Sequence, residues 1–283
     1  MNLFDQIQRQ DIKSLSIVGL AKNAGKTVTL NHLIQLADIY NFNLGLTSIG
    51  RDGEKEDIVT NTEKPQIKIT EGTIVAVAKG LLVKSKLNFE ILEATGFSTP
   101  LGEVVIARSH EAGFVELSGP STKKQLKVIR NKLKELGADL VIIDGALSRK
   151  SLAAPSLAEA AILATGAVIG PDINTVVDKT AFQAELFNLK SISDLKLAEK
   201  IKNTRVDSNV ALIDEEYNVI PLKVKTALSG VTEICEKIDE TTKAVLFKGA
   251  LVEGVIKKIL DKIDNLDQIR LIVNDATHVF LNS

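Results

Sequence analysis

Ser14-Leu15-Ser16-Ile17-Val18-Gly19-Leu20-Ala21-Lys22-Asn23-Ala24-Gly25-Lys26-Thr27 is the stretch on which the reading of this chain turns. A short apolar run ends at a glycine, a small-residue loop follows, and Lys-Thr opens a segment whose Val28, Leu30, Leu33 and Leu36 recur at mostly helical spacing. Strand, glycine-bounded loop and helix is the context in which backbone N–H groups turn inward around an anion. The helix adds the positive end of its dipole. The loop has the Gly-x-x-x-x-Gly-Lys-Ser/Thr pattern with its first glycine one place early, at Gly19, so it is one residue longer than the usual form.

This spacing assigns roles. Gly25 permits close approach of the backbone to phosphate. Lys26 reaches the outer phosphate oxygens, and Thr27 offers its hydroxyl to Mg²⁺. The nucleotide-contacting set is Gly19, Lys22, Asn23, Ala24, Gly25, Lys26, Thr27 and Val28. Downstream, Leu140-Val141-Ile142-Ile143-Asp144 is four apolar residues and a carboxylate at a strand's end, which suits Asp144 to hold Mg²⁺ directly or through water. Asn43 to Ile49 reads as a second strand ending in Gly50-Arg51-Asp52-Gly53-Glu54. Asp52 is the candidate for orienting a reacting water there, with Glu54 as its competitor, because the carboxyl ends of parallel strands form the crevice of such sheets. No Asn-Lys-x-Asp guanine reader is present, so ATP is the nucleotide by elimination.

Around this core the chain reads as α/β: a three-layer nucleotide-binding domain over residues 1–203 with a mainly parallel sheet, a β-rich insertion over about 66–119, and a second, smaller α/β unit over 204–283. The final residues still look structured, as in a piece cut from a longer chain. Ser121 to Leu136 reads as a lysine-rich amphipathic helix capped by Gly119-Pro120-Ser121. His32, His110 and His278 are scattered and lack metal-ligand spacing.

Composition excludes several classes. Thirty-five basic and 36 acidic residues give a net charge of −1, so no global field draws the chain to nucleic acid. One cysteine, Cys235, rules out an internal disulfide or thiolate cluster. No stretch has the length of a membrane span, and cytoplasmic residence is the expectation.

The loop, its helix and the distant hydrophobic-Asp-Gly resemble the P-loop NTPase branch that holds dethiobiotin synthetase, the nitrogenase iron protein and the ParA/MinD ATPases. ParA and MinD carry a signature lysine soon after the first loop glycine. Here Leu20 and Ala21 follow Gly19, and Lys22 reads as a solvent-facing loop lysine near phosphate. A narrower resemblance is to the small P-loop component of the reactivating system for adenosylcobalamin-dependent lysine aminomutase. It is carried by Gly19–Thr27, Gly50–Glu54 and Ile143-Asp144-Gly145-Ala146-Leu147-Ser148-Arg149-Lys150-Ser151. This resemblance implies a Mg²⁺-dependent ATPase acting as a nucleotide switch on a protein partner, either a larger ATPase or the cobalamin enzyme. The alternative is an ATP-dependent ligase or kinase, with Arg51, Arg108, Arg149 and Lys150 lining its pocket.

Overall fold

The computed structural model describes residues 2–49, 66–145, 153–204, 208–262 and 269–281. Asp52, Glu54, Arg51, Arg149 and Lys150 lie outside the described residues. The chain divides into two compact units, Met1–Thr180 and Ala181–Ser283.

The first unit is built on a seven-stranded sheet. Its strands are β1 (Ser14–Gly19), β2 (Leu44–Ser48), β4 (Ile74–Ala78), β5 (Phe89–Thr99), β6 (Gly102–Ser109), β8 (Leu140–Asp144) and β9 (Ala160–Ala164), in the order β5-β6-β4-β2-β8-β1-β9. From β4 through β9 every pairing is parallel, while β5 and β6 form an antiparallel hairpin at one edge. The central strands are buried on both faces, as in a sheet covered on both sides.

Leu15, Ile17, Leu44, Leu46, Leu140 and Ile142 face one layer. That layer contains α1 (Leu3–Arg9) and α2 (Lys26–Ile39), whose Phe4, Ile7, Leu30, Leu33 and Ile34 are buried against it. Phe4 stacks on Tyr40 at 5.1 Å between ring centroids and meets Phe42 edge-on. The other face is covered by α4 (Lys123–Glu135) through Leu126, Ile129 and Leu133. Gly45 makes that approach possible: a Cβ there would stand 3.0 Å from the Cβ of Ala138 and 3.2 Å from that of Leu133. The mainly parallel α/β sheet read from the sequence is therefore present.

Several local expectations are corrected. The polar N-terminus forms α1, closed by a capping box in which the Asn2 side chain accepts from Asp5 N and Asp5 accepts from Asn2 N. The cap of α4 is Thr122, paired reciprocally with Gln125, rather than Gly119-Pro120-Ser121. The stretch read as a β-rich insertion also contains a helix, α3 (Lys79–Ser85), beside the short antiparallel pair β3 (Ile67–Ile69) and β7 (Gly113–Val115). β9 stops at Ala164, and a 3₁₀ turn follows at Ala167–Ile169. The unit boundary falls within α5 (Ile173–Phe187).

The second unit is a four-stranded sheet in the order β11 (Val219–Leu222), β10 (Val210–Asp214), β12 (Thr242–Phe247), β14 (Arg270–Val273). α7 (Val231–Lys237) and α8 (Glu253–Lys262) bury Val231, Ile234, Val255 and Ile259 on one face. Leu197 of α6 (Leu195–Asn203) packs on the other face, against Ala211, Ile213, Ala244 and Leu246. A short parallel pair, β13 (Leu251–Val252) and β15 (Val279–Phe280), completes the unit. His278 lies in the 3₁₀ turn before β15.

Candidate functional site

β1 delivers Gly19 and β8 delivers Asp144 to the same edge of the first sheet. The two strands are adjacent and parallel, with Ile17 opposite Asp144. The loop leaves β1 by donating Leu20 N to Ala164 O of β9 at 3.1 Å. It then turns through two left-handed residues, Asn23 at φ 62° and Gly25 at φ 96°. Gly25 is the N-cap of α2 and supplies no side-chain cap, so the first-turn N–H groups of a 14-residue helix stay open toward this edge. Left-handed residues spaced this way turn backbone N–H groups into an anion-binding concavity. Asn tolerates the conformation better than most residues, and glycine bears it without strain.

Two of the charged side chains gathered here, Lys26 and Asp144, are incompletely partnered among the described residues. Lys26 curls back over Gly19, yet among the described residues its ammonium makes no hydrogen bond and no ion pair within 4 Å. Burial holds its pKa below the ordinary lysine value, opposed by the charge of Asp144. Asp144 Oδ1 is buried and has no hydrogen-bond partner. Burial pushes its pKa up to about 6, and the nearby Lys26 charge limits the rise. Both shifts have desolvation as their first cause, and each charge acts on the other without a salt bridge between them. A phosphate group bearing a divalent cation would satisfy both: the anion for Lys26 and the loop N–H groups, the cation for Asp144. The residues present therefore fit Mg²⁺, with Thr27 in the first turn of α2 as the neutral oxygen donor.

Two glycines and a serine frame the site and were not assigned from the sequence. Gly145 donates to Ile17 O at 2.9 Å, and a Cβ there would stand 2.4 Å from that oxygen. Gly119 N donates to Ser48 Oγ at 3.3 Å, and a Cβ there would stand 2.1 Å from Ser48 O. Only the local approach of chain to strand end reveals these steric requirements, which neither the hydrophobic-Asp-Gly pattern at Gly145 nor the Gly119-Pro120-Ser121 run discloses.

Other sequence candidates lie elsewhere. Arg108 sits opposite Ile74, the first residue of β4, and so at the amino edge of the parallel strands rather than beside Asp144. There it pairs with Glu90 at 3.8 Å and donates to Leu136 O. The lysine face of α4 is partly tied down, Lys132 to Glu93 and Lys134 to Glu159. Cys235 is half-buried, with its thiol pKa raised by burial. Among the described residues no group of three or more His, Cys, Asp or Glu side chains could hold a metal, and no helix is long and apolar enough to cross a membrane. The cation site above would accordingly rest on one carboxylate, one hydroxyl and the ligand's own oxygens.

No family model matches the chain, and no solved structure matches it. The chain is similar to UDP-N-acetylglucosamine 2-epimerase of Methanocaldococcus jannaschii, 23% identical over 245 residues. The match covers 82% of this chain and 55% of that protein, so the chain spans about half the length of the relative. This likeness overturns the assignment to the P-loop NTPase branch, and with it the lysine-aminomutase reactivating component. The reading as an ATP-hydrolysing nucleotide switch on a larger ATPase or cobalamin enzyme falls too, as does the ligase or kinase alternative. The descriptions ATP-binding, P-loop and hydrolase fall with them. The physical reason is the reach of each argument. A nine-residue loop reports a local shape suited to phosphate, and many unrelated chemistries begin by holding phosphate. The likeness to the epimerase runs through most of the chain.

Proposed function

We propose that the Gly19–Thr27 loop binds the phosphates of a nucleotide, and that the chain acts on a nucleotide sugar. The observation that carries the first part is a pair of half-buried charges at one strand edge: Lys26 folded over Gly19, and Asp144 with a buried, orphaned oxygen. Support for the second part comes from the similar M. jannaschii protein, whose name specifies a UDP-sugar epimerase. The diphosphate of a UDP-sugar offers the loop the same oxygens as the inner phosphates of ATP, so the loop alone does not choose between the two.

In this reading the N–H groups of Asn23, Ala24, Gly25 and Lys26 hold the diphosphate, Lys22 and Val28 border it, and the Lys26 ammonium offsets its charge. Thr27 and Asp144 hold Mg²⁺, which when bound neutralises phosphoryl oxygens and fixes their orientation. Asp52, outside the described residues, remains the sequence-based candidate for orienting a reacting water. Cytoplasmic residence accompanies this reading, supported by the single cysteine.

The test is to incubate the full chain with UDP-N-acetylglucosamine and Mg²⁺ and follow the sugar-ring protons by NMR. Inversion at one ring carbon is expected, and it should vanish in Lys26→Ala. A substrate that stays unchanged while ATP is consumed would overturn the nucleotide-sugar assignment.

A further inference from the structure

β2 and β8 are parallel neighbours, and Ser48 is the register partner of Asp144. Partners in adjacent parallel strands project to the same face, so the Ser48 hydroxyl and the Asp144 carboxylate stand side by side at the carboxyl edge. Ser48 is 6% exposed, and Asp144 is half-buried with its Oδ1 fully covered.

The hydrogen-bond account of the two residues is incomplete in complementary ways. Ser48 Oγ accepts from Gly119 N at 3.3 Å, but among the described residues nothing accepts its proton. Asp144 Oδ1 is buried and receives no donor. The neighbouring Thr47 shows what a satisfied hydroxyl on this strand looks like, donating to Ala76 O at 2.9 Å. A buried donor and a buried acceptor left open on adjacent strands each carry a desolvation cost. One oxygen atom seated between them, able both to accept and to donate, removes both costs. A water molecule bound to a cation is such an oxygen, because the cation sharpens its donation to a carboxylate.

The fit of Gly119 shows that the arrangement is built. Its lack of a side chain lets the connection between β7 and α4 lie directly on the end of β2, where a Cβ would stand 2.6 Å from Thr47 Oγ1. That contact fixes the acceptor side of Ser48 Oγ and turns its proton away from Gly119.

Resting on the phosphate-binding reading above, we propose that Ser48 is a positioning residue of the site, donating its hydroxyl to a water on the divalent cation held at Asp144. The water in turn donates to Asp144 Oδ1, so Ser48 orients the cation's hydration without touching the phosphate.

The experiment is calorimetric titration of inorganic pyrophosphate into wild type, Ser48→Ala and Ser48→Cys, each with and without MgCl₂, alongside thermal unfolding of each protein. With magnesium, both variants should bind about tenfold more weakly than wild type, a loss of about 1.4 kcal/mol. Without magnesium all three should bind alike. Equal affinity in every condition, or an equal loss with and without magnesium, overturns the role of Ser48, the latter because a merely structural serine would weaken both. Absence of pyrophosphate binding to wild type instead overturns the phosphate site itself, and this proposal with it.

Discussion

Lys26 lies so close over Gly19 that a Cβ on that glycine would stand 2.9 Å from the lysine Nζ and 3.0 Å from its Cγ. The first and last parts of the loop therefore touch each other through one flexible side chain. Gly19 is needed for space, since its backbone is not in the left-handed region.

This predicts the outcome of Gly19→Ala. The lysine can swing away at small cost to folding, but its ammonium leaves the place where phosphate would meet it. Calorimetry should show pyrophosphate affinity falling about tenfold or more while the thermal midpoint moves by only a few degrees. An unaltered affinity would separate Lys26 from the anion.

Asp144 supplies a stability prediction with a definite sign. Its native pKa of about 6 lies above the ordinary 3.8, so between those values the folded chain holds a proton that the unfolded chain has released. Stability from this group is full below about pH 3.8 and is lost as pH rises through about 6. At pH 7 the cost is at most roughly 3 kcal/mol. In metal-free buffer Asp144→Asn should therefore unfold at a higher temperature than wild type at pH 7–8, with the difference fading toward pH 4. A variant less stable than wild type at pH 7 would mean that Asp144 is held by contacts that favour its charge.

In the second unit the sign is opposite. Asp194 caps α6 by accepting from Leu197 N at 3.0 Å. It also accepts from the Tyr217 hydroxyl at 3.0 Å, pairs with Lys243 at 3.0 Å and has Arg270 at 3.5 Å. The capping bond from Leu197 leads in holding its pKa down at about 2. The stabilisation is present above the ordinary 3.8 and is lost as pH falls through about 2. Asp194→Ala should lower the thermal midpoint by a few degrees at pH 6, and the gap to wild type should narrow steadily in acid. A gap of constant size from pH 6 to pH 2 would show that the charge is not what stabilises α6.

How much of this was legible in the sequence follows from the range of each signal. β1, β2 and β8 were readable because they are short apolar runs with glycine or a carboxylate at the end, which is what a doubly covered parallel strand requires. α1 was hidden because its start is signalled by Asn2 and Asp5 across three residues in a polar segment, with only Phe4 and Ile7 buried. α3 was hidden for the opposite reason: Leu81, Leu82 and Val83 look like a strand until tertiary packing decides. The loop's left-handed Asn23 and Gly25 were locally encoded. Ser48 and Gly119, 71 positions apart, were not, since their meeting depends on where the β7–α4 connection crosses β2. The family assignment went astray by giving the loop more reach than a local shape carries.

The central claim is that Lys26 and the loop around it receive nucleotide phosphates. Calorimetric titration of UDP with Mg²⁺ into the full chain and into Lys26→Ala tests it most directly. Lys26 makes no hydrogen bond or ion pair to be lost among the described residues, so the variant should keep the wild-type fold by circular dichroism. The account predicts saturable one-to-one binding to wild type and a loss of at least about tenfold in Lys26→Ala. Equal affinity in the two proteins, or no binding of UDP to the wild-type chain, would contradict it.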